Sequence, residues 1–396
     1  MKIILLYDFD LSLSKGYSIN ERESARSLKK MLGDQIIIVA PKPEFPEIMK
    51  DTEISYYYNH KKYNSFHYLI SLFSCYRILR KIIKENKIDA IVTRLPLIPI
   101  VPYFFQKLHV PVILKKLAGF SIFESDQRGW KKKLFAALTK PLYRSVIQNC
   151  LGADVESHIY VEWAHSTFEI SKEKLKMIPN GVNTDSFIPY IKKEMKKEYG
   201  FDQFRYLIGY VGAIDSLRHV TLAIESMRIL LETMPNTSMV FVGKGSSIDE
   251  IYELIRKYNL EDHIFLTGFL PYEKIPRIIS AFDIAFDLTY VPLQLPQGVM
   301  GASYSQKIPQ YLSCGVPVVA WDTQDTQFIK QEGVGSIVPY GSVEGLVKEF
   351  QKLLKDQQEN STIECRKCAV NQYSADAISS KRMFFWKQLI TNIKTF

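Results

Sequence analysis

Tyr206-Leu207-Ile208-Gly209-Tyr210-Val211 runs into Gly212-Ala213-Ile214-Asp215-Ser216-Leu217-Arg218, and Thr237-Ser238-Met239-Val240-Phe241-Val242 runs into Gly243-Lys244-Gly245-Ser246-Ser247. Each apolar hexamer has the composition of a strand buried on both faces, and a glycine closes each. Between them, residues 220–232 place apolar side chains at helical spacing. Strand, glycine turn, helix, strand, glycine turn is a βαβ unit, and its two strands lie parallel in one sheet.

The alternation extends in both directions. Downstream, strands are expected at 263–267, 284–288 and 316–320, with helices at 248–258, 273–281, 308–313 and 343–354. Upstream, strands are expected at 2–7, 35–40, 87–92, 110–114 and 154–157, with helices at 20–32, 66–85 and 130–150. The stretch 178–197, with Pro179, Gly181, Pro189 and a Lys/Glu-rich end, has the composition of a linker. The expected organisation is therefore an N-terminal α/β domain at 1–183, a C-terminal one at 184–372 and a terminal helix at 373–396. That helix carries Phe384, Phe385, Trp386 and Leu389, so it must dock. Open parallel sheets bind ligands at the C-terminal ends of their strands where the chain order reverses, and two facing sheets would put the ligand in a cleft.

Composition narrows the class. Of 396 residues 46% are hydrophobic and 23% charged, which suits a globular chain and not a disordered one. No uncharged apolar run reaches about 18 residues, so no spanning helix is expected. Met1-Lys2 and Ile3–Leu6 meet Asp8 too soon for a signal peptide. The cysteines, Cys75, Cys150, Cys314, Cys365 and Cys368, are too sparse for a disulfide framework, and a reducing, cytoplasmic setting is expected. Cys365 and Cys368 are expected as two thiols on a surface helix rather than a zinc site. The net charge is +9, and it resides in the first half: residues 1–183 hold 28 Lys and Arg against 18 Asp and Glu. Such a bias suits an acidic substrate, an anionic membrane or a nucleic acid.

The glycine loops are where phosphate chemistry is expected. Glycine lets the backbone approach an anion, and a following helix N-terminus attracts it. Lys244 adds a positive charge, and Arg218 can bind phosphate bidentately. Gly16 stands at the first strand-to-helix turn. The chain also carries Met177-Ile178-Pro179-Asn180-Gly181-Val182-Asn183-Thr184-Asp185-Ser186-Phe187, then Phe265-Leu266-Thr267-Gly268-Phe269, Ala281-Phe282-Asp283-Ile284, and Lys307-Ile308-Pro309-Gln310-Tyr311-Leu312-Ser313-Cys314-Gly315-Val316-Pro317-Val318-Val319-Ala320. In that order these segments resemble the hallmarks of retaining GT-B glycosyltransferases of the group 1, family 4, type. The likeness is strong over 150–390 and architectural over 1–150.

The resemblance implies two facing Rossmann-like doubly wound domains with an interdomain cleft. It implies a retaining hexosyltransferase that moves a sugar from a nucleotide diphosphate sugar to a glycan or lipid-linked glycan of cell-surface polysaccharide type. Arg218 and Lys307 would stabilise the departing diphosphate. Gly16, Gly212, Gly243, Lys244, Gly268, Phe269, Ser303, Tyr304, Ser305 and Gln310 would bind the donor. Arg94 is the one acceptor-side residue suggested. No metal and no further cofactor is expected.

The chain departs from the family pattern at three places. Ala302 and Gln310 stand where the two family glutamates belong, and Ala213 replaces the usual Arg. A charged hydrogen bond is worth about 1.5–3 kcal/mol and a neutral one about 0.5–1.5, so Gln310 should weaken ribose binding about tenfold. Near the position where many members carry a histidine the chain has Lys115-Lys116. These departures keep open a second reading, a weak or inactive relative that serves as a binding or partner subunit.

Asp8-Phe9-Asp10 has the form of a metal-binding D-x-D, but it follows the first strand and is expected to be loop polarity. Residues 128–135, followed by Lys140 and Arg144, form a basic helix with aromatic residues, and peripheral association with an anionic membrane surface at its inner face is expected from it. No nucleic-acid motif is present, and no nucleic-acid partner is expected.

Overall fold

The structure is a computed structural model. It describes all residues except 14–15, 60–64, 96–98, 118–129, 215–216, 290–304, 357–358 and 395–396. The chain divides into two compact units. One gathers Met1–Pro179 and Ile378–Phe396, the other Asn180–Pro292 and Met300–Ala377.

The first unit is built on strands β1 (Ile3–Leu6), β2 (Ile36–Pro41), β3 (Tyr56–Tyr58), β4 (Ala90–Thr93), β5 (Val112–Leu114), β6 (Gly152–Val155) and β7 (Leu175–Met177). They form one parallel sheet in the order β3-β2-β1-β4-β5-β6-β7. β1, β2, β4, β5 and β6 are buried residue for residue, as near-continuous Ile/Val/Leu/Ala runs require. On one face Ile4, Ile37 and Ile91 pack against Leu72, Leu79 and Ile82 of helix Ser65–Glu85 and Val101 and Phe105 of helix Ile100–Lys107. The second of these helices was not anticipated, because Pro99 and Pro102 mark a break. Pro99 in fact caps the helix and Pro102 falls in its first turn, where an N–H has no partner to lose.

The terminal helix, Ala375–Lys394, docks on the opposite face of this sheet. Arg382, 2% exposed, donates from Nε to Asp154 Oδ2 at 3.1 Å, and Trp386 Nε1 donates to Asp154 Oδ1 at 3.3 Å. Asp154 faces away from its neighbours Ala153 and Val155, which lie in the core. Phe385 and Leu389 are buried, while Phe384 is exposed.

The second unit contains β8 (Tyr206–Val211), β9 (Thr237–Val242), β10 (Ile264–Gly268), β11 (Ile284–Asp287), β12 (Val318–Trp321) and β13 (Gly335–Val338), all parallel, in the order β10-β9-β8-β11-β12-β13. Its core joins Ile208, Tyr210, Phe241 and Phe286 to Val220, Ile224 and Met227 of helix Leu217–Leu230 and Phe350 of helix Val343–Lys355. Tyr210 stacks on Phe286 with ring centroids 5.4 Å apart. In the first sheet the chain order reverses between β1 and β4, in the second between β8 and β11.

Two expectations are corrected. The stretch read as a linker contains helix Lys192–Glu198, and it is anchored: Lys192 Nζ lies 3.0 Å and Lys196 Nζ 2.6 Å from the two oxygens of buried Asp283. Cys365 and Cys368 are not surface thiols, since both are buried and Cys365 is fully so. Apolar contact, not solvent, decides their environment.

Candidate active site

The reversal point between β8 and β11 gathers most of the residues singled out in the second unit. Gly212 follows β8 and Gly243 follows β9, and their loops interlock. The Gly212 amide donates to Val242 O and the Gly243 amide to Gly268 O, each at 2.9 Å; Ile214 N donates to Lys244 O at 3.0 Å, and Ser247 N to Ile214 O at 3.1 Å. The fit leaves no room for side chains. A Cβ on Gly243 would sit 1.9 Å from Gly212 O, and one on Gly212 would sit 2.6 Å from Cε of Lys307. Gly268 ends β10, and the adjacent Phe269 ring is 66% exposed with Lys244 Nζ 5.8 Å from its centroid. Cation and open aromatic face thus stand together beside the glycine loops.

Lys307 opens helix Lys307–Ser313, and its amine is enclosed by polar groups. Nζ lies 3.4 Å from Asp287 Oδ1, 3.1 Å from Thr289 Oγ1 and 3.4 Å from Ser305 Oγ, and 5.3 Å from the Tyr210 ring centroid. Asp287 also accepts from Thr289 Oγ1 at 2.5 Å and from Ser305 Oγ. Burial works against the charge on Lys307, but the Asp287 carboxylate, with Tyr210, outweighs it and holds the amine above the usual lysine range. Tyr311 is fully buried one turn further on, and its hydroxyl accepts from Val211 N at 2.9 Å, fixing this helix to the end of β8.

Asp287, Thr289, Tyr210 and Tyr311 were not foreseen. Asp287 and Thr289 flank the end of a strand, where polar residues ordinarily mark only its termination. Gln310 lies on the same helix as Lys307 and is partly exposed. Arg218 is the second residue of helix Leu217–Leu230, and its side chain, like that of His219, lies outside the described part. Ala302, Ser303 and Tyr304 lie outside the described residues; Ser305 is the first described residue after them.

Gly16 and Arg94 belong to the other unit. Gly16 is the first residue of helix Gly16–Leu32. Arg94 follows β4, with its guanidinium 5.9 Å from the Phe9 ring centroid and 3.9 Å from Glu21 Oε1. Glu21, fully buried, is the centre of a cationic cluster: Lys115 Nζ is 2.6 Å and Lys116 Nζ 2.8 Å from its oxygens. Burial alone would raise the Glu21 carboxyl, but Lys115, Lys116 and Arg94 together hold it well below the usual carboxylate range. Lys115 and Lys116, noted in the sequence only as a departure, are thus both buried on one carboxylate.

Asp10 of the D-x-D is 7% exposed and its carboxylate is engaged by its own loop. It accepts from Ser12 N, Ser12 Oγ and Glu44 N at 2.7–2.8 Å. Among the described residues no group of three or more His, Cys, Asp or Glu is placed to hold a metal ion, and no helix is long and apolar enough to cross a membrane. Of the basic helix Trp130–Gln148, Arg128 and Gly129 precede the described part and the side chains of 130–132 are outside it; Lys133, Leu134, Leu138 and Lys140 are exposed.

Two doubly wound parallel sheets, each with one reversal of strand order, place ligand sites at the carboxyl ends of their strands, and in the second sheet that edge carries the glycine loops and Lys307. The comparisons agree. Residues 191–372 match the family model for glycosyl transferases group 1, and residues 22–186 that for glycosyltransferase family 4. The chain is 22% identical over 312 residues to the UDP-Gal:α-D-GlcNAc-diphosphoundecaprenol α-1,3-galactosyltransferase of Escherichia coli, covering 77% of this chain and 75% of that one. It superposes on a glycosyltransferase of Rickettsia africae with a TM-score of 0.72 at 17% identity, covering 99% of both chains. On HepE of Anabaena, solved with UDP, the TM-score is 0.69 at 14% identity, covering 98% and 100%. The chain belongs to the group 1 glycosyltransferases of GT-B fold and is a glycosyltransferase.

Proposed function

We propose that the protein transfers a sugar from a UDP-sugar to a glycan or lipid-linked glycan, with retention at the anomeric carbon. The observation that carries this is the interlock of the Gly212 and Gly243 loops beside the enclosed Lys307 amine. Glycine loops that let a ligand approach the backbone, beside a fixed cation at one strand edge, suit a diphosphate. UDP is favoured because HepE was solved with UDP and with UDP-glucose, and because the Escherichia coli relative is named for UDP-galactose. The lipid-linked acceptor is favoured by that relative's diphosphoundecaprenol substrate.

In the proposed step the bond from the anomeric carbon to the diphosphate oxygen breaks and a bond to the acceptor oxygen forms on the same face. The acceptor's proton passes to a donor phosphate oxygen, and UDP leaves. Lys307 and Arg218 offset the charge that grows on the diphosphate. Gly212, Gly243 and Lys244 seat it, Gly268 and Phe269 flank the base, and Gln310 and Ser305 lie toward the ribose and sugar. The transfer needs no metal, so full activity is expected in excess EDTA.

The test is thermal unfolding with UDP, GDP, ADP, TDP and CMP, each at about 1 mM. A ligand at 100 times its Kd stabilises by about 2.7 kcal/mol, which shifts the melting of a domain of this size by several degrees. UDP should stand out. Ala302 and Gln310 favour the second reading, a non-catalytic relative, and no shift with any nucleotide would establish it over ours.

A further inference from the structure

Three strands of the first sheet begin around one cavity of about 510 Å³. Its walls come from the residues that lead into β5, β6 and β7 and from the C-terminal ends of helices Ile100–Lys107 and Trp130–Gln148. β5 runs from this cavity to Lys115 at its other end, so the cavity and the Glu21 cluster stand at opposite ends of the sheet.

The lining holds Lys107, His109 and Lys174, all exposed, and no Asp or Glu. Among the described residues no carboxylate pairs with any of the three. Cations at a helix C-terminus ordinarily serve its last carbonyls. Here amides serve them instead. Gln106 Nε2 donates to Val146 O at 2.9 Å, Asn149 Nδ2 to Ser145 O at 2.8 Å, and His109 N to Gln106 O at 2.9 Å. The two lysines are therefore left over. The amide donors are spent, and Gln106 Oε1 remains in the wall as a buried acceptor with no partner. A buried polar atom in that state calls for a donor. His109 has φ 58°, a left-handed conformation that glycine usually takes, so the turn carries an imidazole on the cavity wall where a glycine would carry nothing. Tyr103 adds a half-buried ring, with Lys107 Nζ 5.6 Å from its centroid.

We propose that this cavity is a binding site for a small phosphorylated sugar, separate from the donor site. The phosphate would lie on Lys107, Lys174 and His109, sugar hydroxyls would donate to the amide oxygens of Gln106 and Asn149, and Tyr103 would lie against the C–H face of the ring. A bare anion would leave the amide oxygens without donors, and a neutral sugar would leave the cations without a counter-charge. The volume is that of a small-molecule site, which runs to about 300–1,000 Å³. The site lies wholly within the first unit, and its occupation requires no transfer.

Calorimetric titration of the full chain with glucose 6-phosphate tests it, with glucose and inorganic phosphate alongside. Glucose 6-phosphate should bind about tenfold more tightly than either, since each of those lacks one half of the contacts. Lys107→Gln with Lys174→Gln should weaken it about a hundredfold, tenfold for each charge-assisted contact. Both side chains are exposed, so the double variant should melt with the wild type. Methyl α-glucoside 6-phosphate, whose blocked anomeric carbon mimics a sugar within a glycan, tells the source. Equal binding supports the proposal with a chain-borne phosphorylated sugar as ligand, and rejection supports it with the free sugar phosphate. Saturating UDP should leave the titration unchanged, and UDP-induced stabilisation should persist in the double variant, so failure of this site and failure of the transfer reading are told apart. No binding of glucose 6-phosphate, binding no tighter than that of inorganic phosphate, displacement by UDP, or binding that survives the double substitution would overturn the proposal.

Discussion

Gly243→Ala is the substitution the candidate site can least absorb. Gly243 has φ 152° and packs directly on the Gly212 peptide. An alanine methyl would lie 1.9 Å from Gly212 O and 2.9 Å from its carbonyl carbon, and Cβ contacts under 3.0 Å are essentially never found. One loop must therefore retreat by about 1 Å, and because both partners are backbone no rotamer change relieves it. Overpacking of this kind costs about 1–3 kcal/mol, or roughly 2–12 °C in melting temperature for a domain of this size. The effect on catalysis should be larger, since a 1 Å misplacement of groups that position reactants costs about a hundredfold. Gly341→Ala is the matched comparison. Its φ is 78°, so alanine is strained there too, but nothing lies within 4 Å of its Cβ. Steady-state release of UDP in the presence of acceptor, with melting curves on the same samples, reads both effects. Gly243→Ala should lower kcat/KM about a hundredfold and Gly341→Ala by less than about threefold. If Gly243→Ala kept kcat/KM within about threefold of wild type, the loops would not hold the reacting groups.

Asp287→Asn removes the charge that keeps Lys307 above the usual lysine range and leaves burial to pull its pKa down; the alkaline limb of the kcat/KM profile should move to lower pH, and an unmoved limb would show that this amine does not govern it. Gln310→Glu should tighten UDP binding about tenfold by calorimetry, because a charged acceptor replaces a neutral one; unchanged affinity would remove Gln310 from the ribose. Glu21→Ala leaves Lys115 and Lys116 buried without their counter-charge and should cost about 3–5 kcal/mol at neutral pH. The Glu21 carboxyl is depressed in the fold, so its contribution is complete above the unfolded value of about 4.3 and is lost as pH falls through the folded one. The melting temperatures of wild type and variant should therefore converge in acid, and a constant gap down to low pH would refute the charge assignment.

The sequence announced those parts of the fold whose local chemistry is unambiguous. Thr237–Val242 and Val318–Trp321 are runs of strand formers ended by a glycine or a polar residue, and little else fits them. Tyr56–Tyr58, Leu175–Met177 and Gly335–Val338 are three or four residues long and lie at sheet edges, so their identity as strands comes from a neighbour and not from period. Helix Ile100–Lys107 was hidden because Pro99 and Pro102 signal a break wherever they are not in a first turn. The site followed the same rule. Glycines at 212 and 243 are visible as strand ends, whereas their mutual contact joins residues 31 positions apart and needs the β8–β9 pairing to exist. Asp287 and Lys307, 20 positions apart, are joined in the same way by the fold.

Asp287 also bears on the two carboxylates that the family pattern has and this chain lacks. At 302 and 310 the chain carries Ala and Gln, while among the described residues the carboxylate against Lys307 comes from the end of β11. A diphosphate is repelled by every carboxylate that faces it, and Asp287 is already engaged by Lys307, Thr289 and Ser305. On the proposed assignment the substitutions at 302 and 310 therefore weaken hydroxyl contacts to ribose and sugar without weakening the hold on the diphosphate. On that assignment the hold falls to the loops that follow Gly212 and Gly243 and to the amine of Lys307, which the β8–β9 and β8–β11 pairings bring together, and not to residues 302 or 310. This is why tolerance should be ordered as it is: Gln310 can change in either direction for about a factor of ten, whereas a single methyl at Gly243 should cost about a hundred.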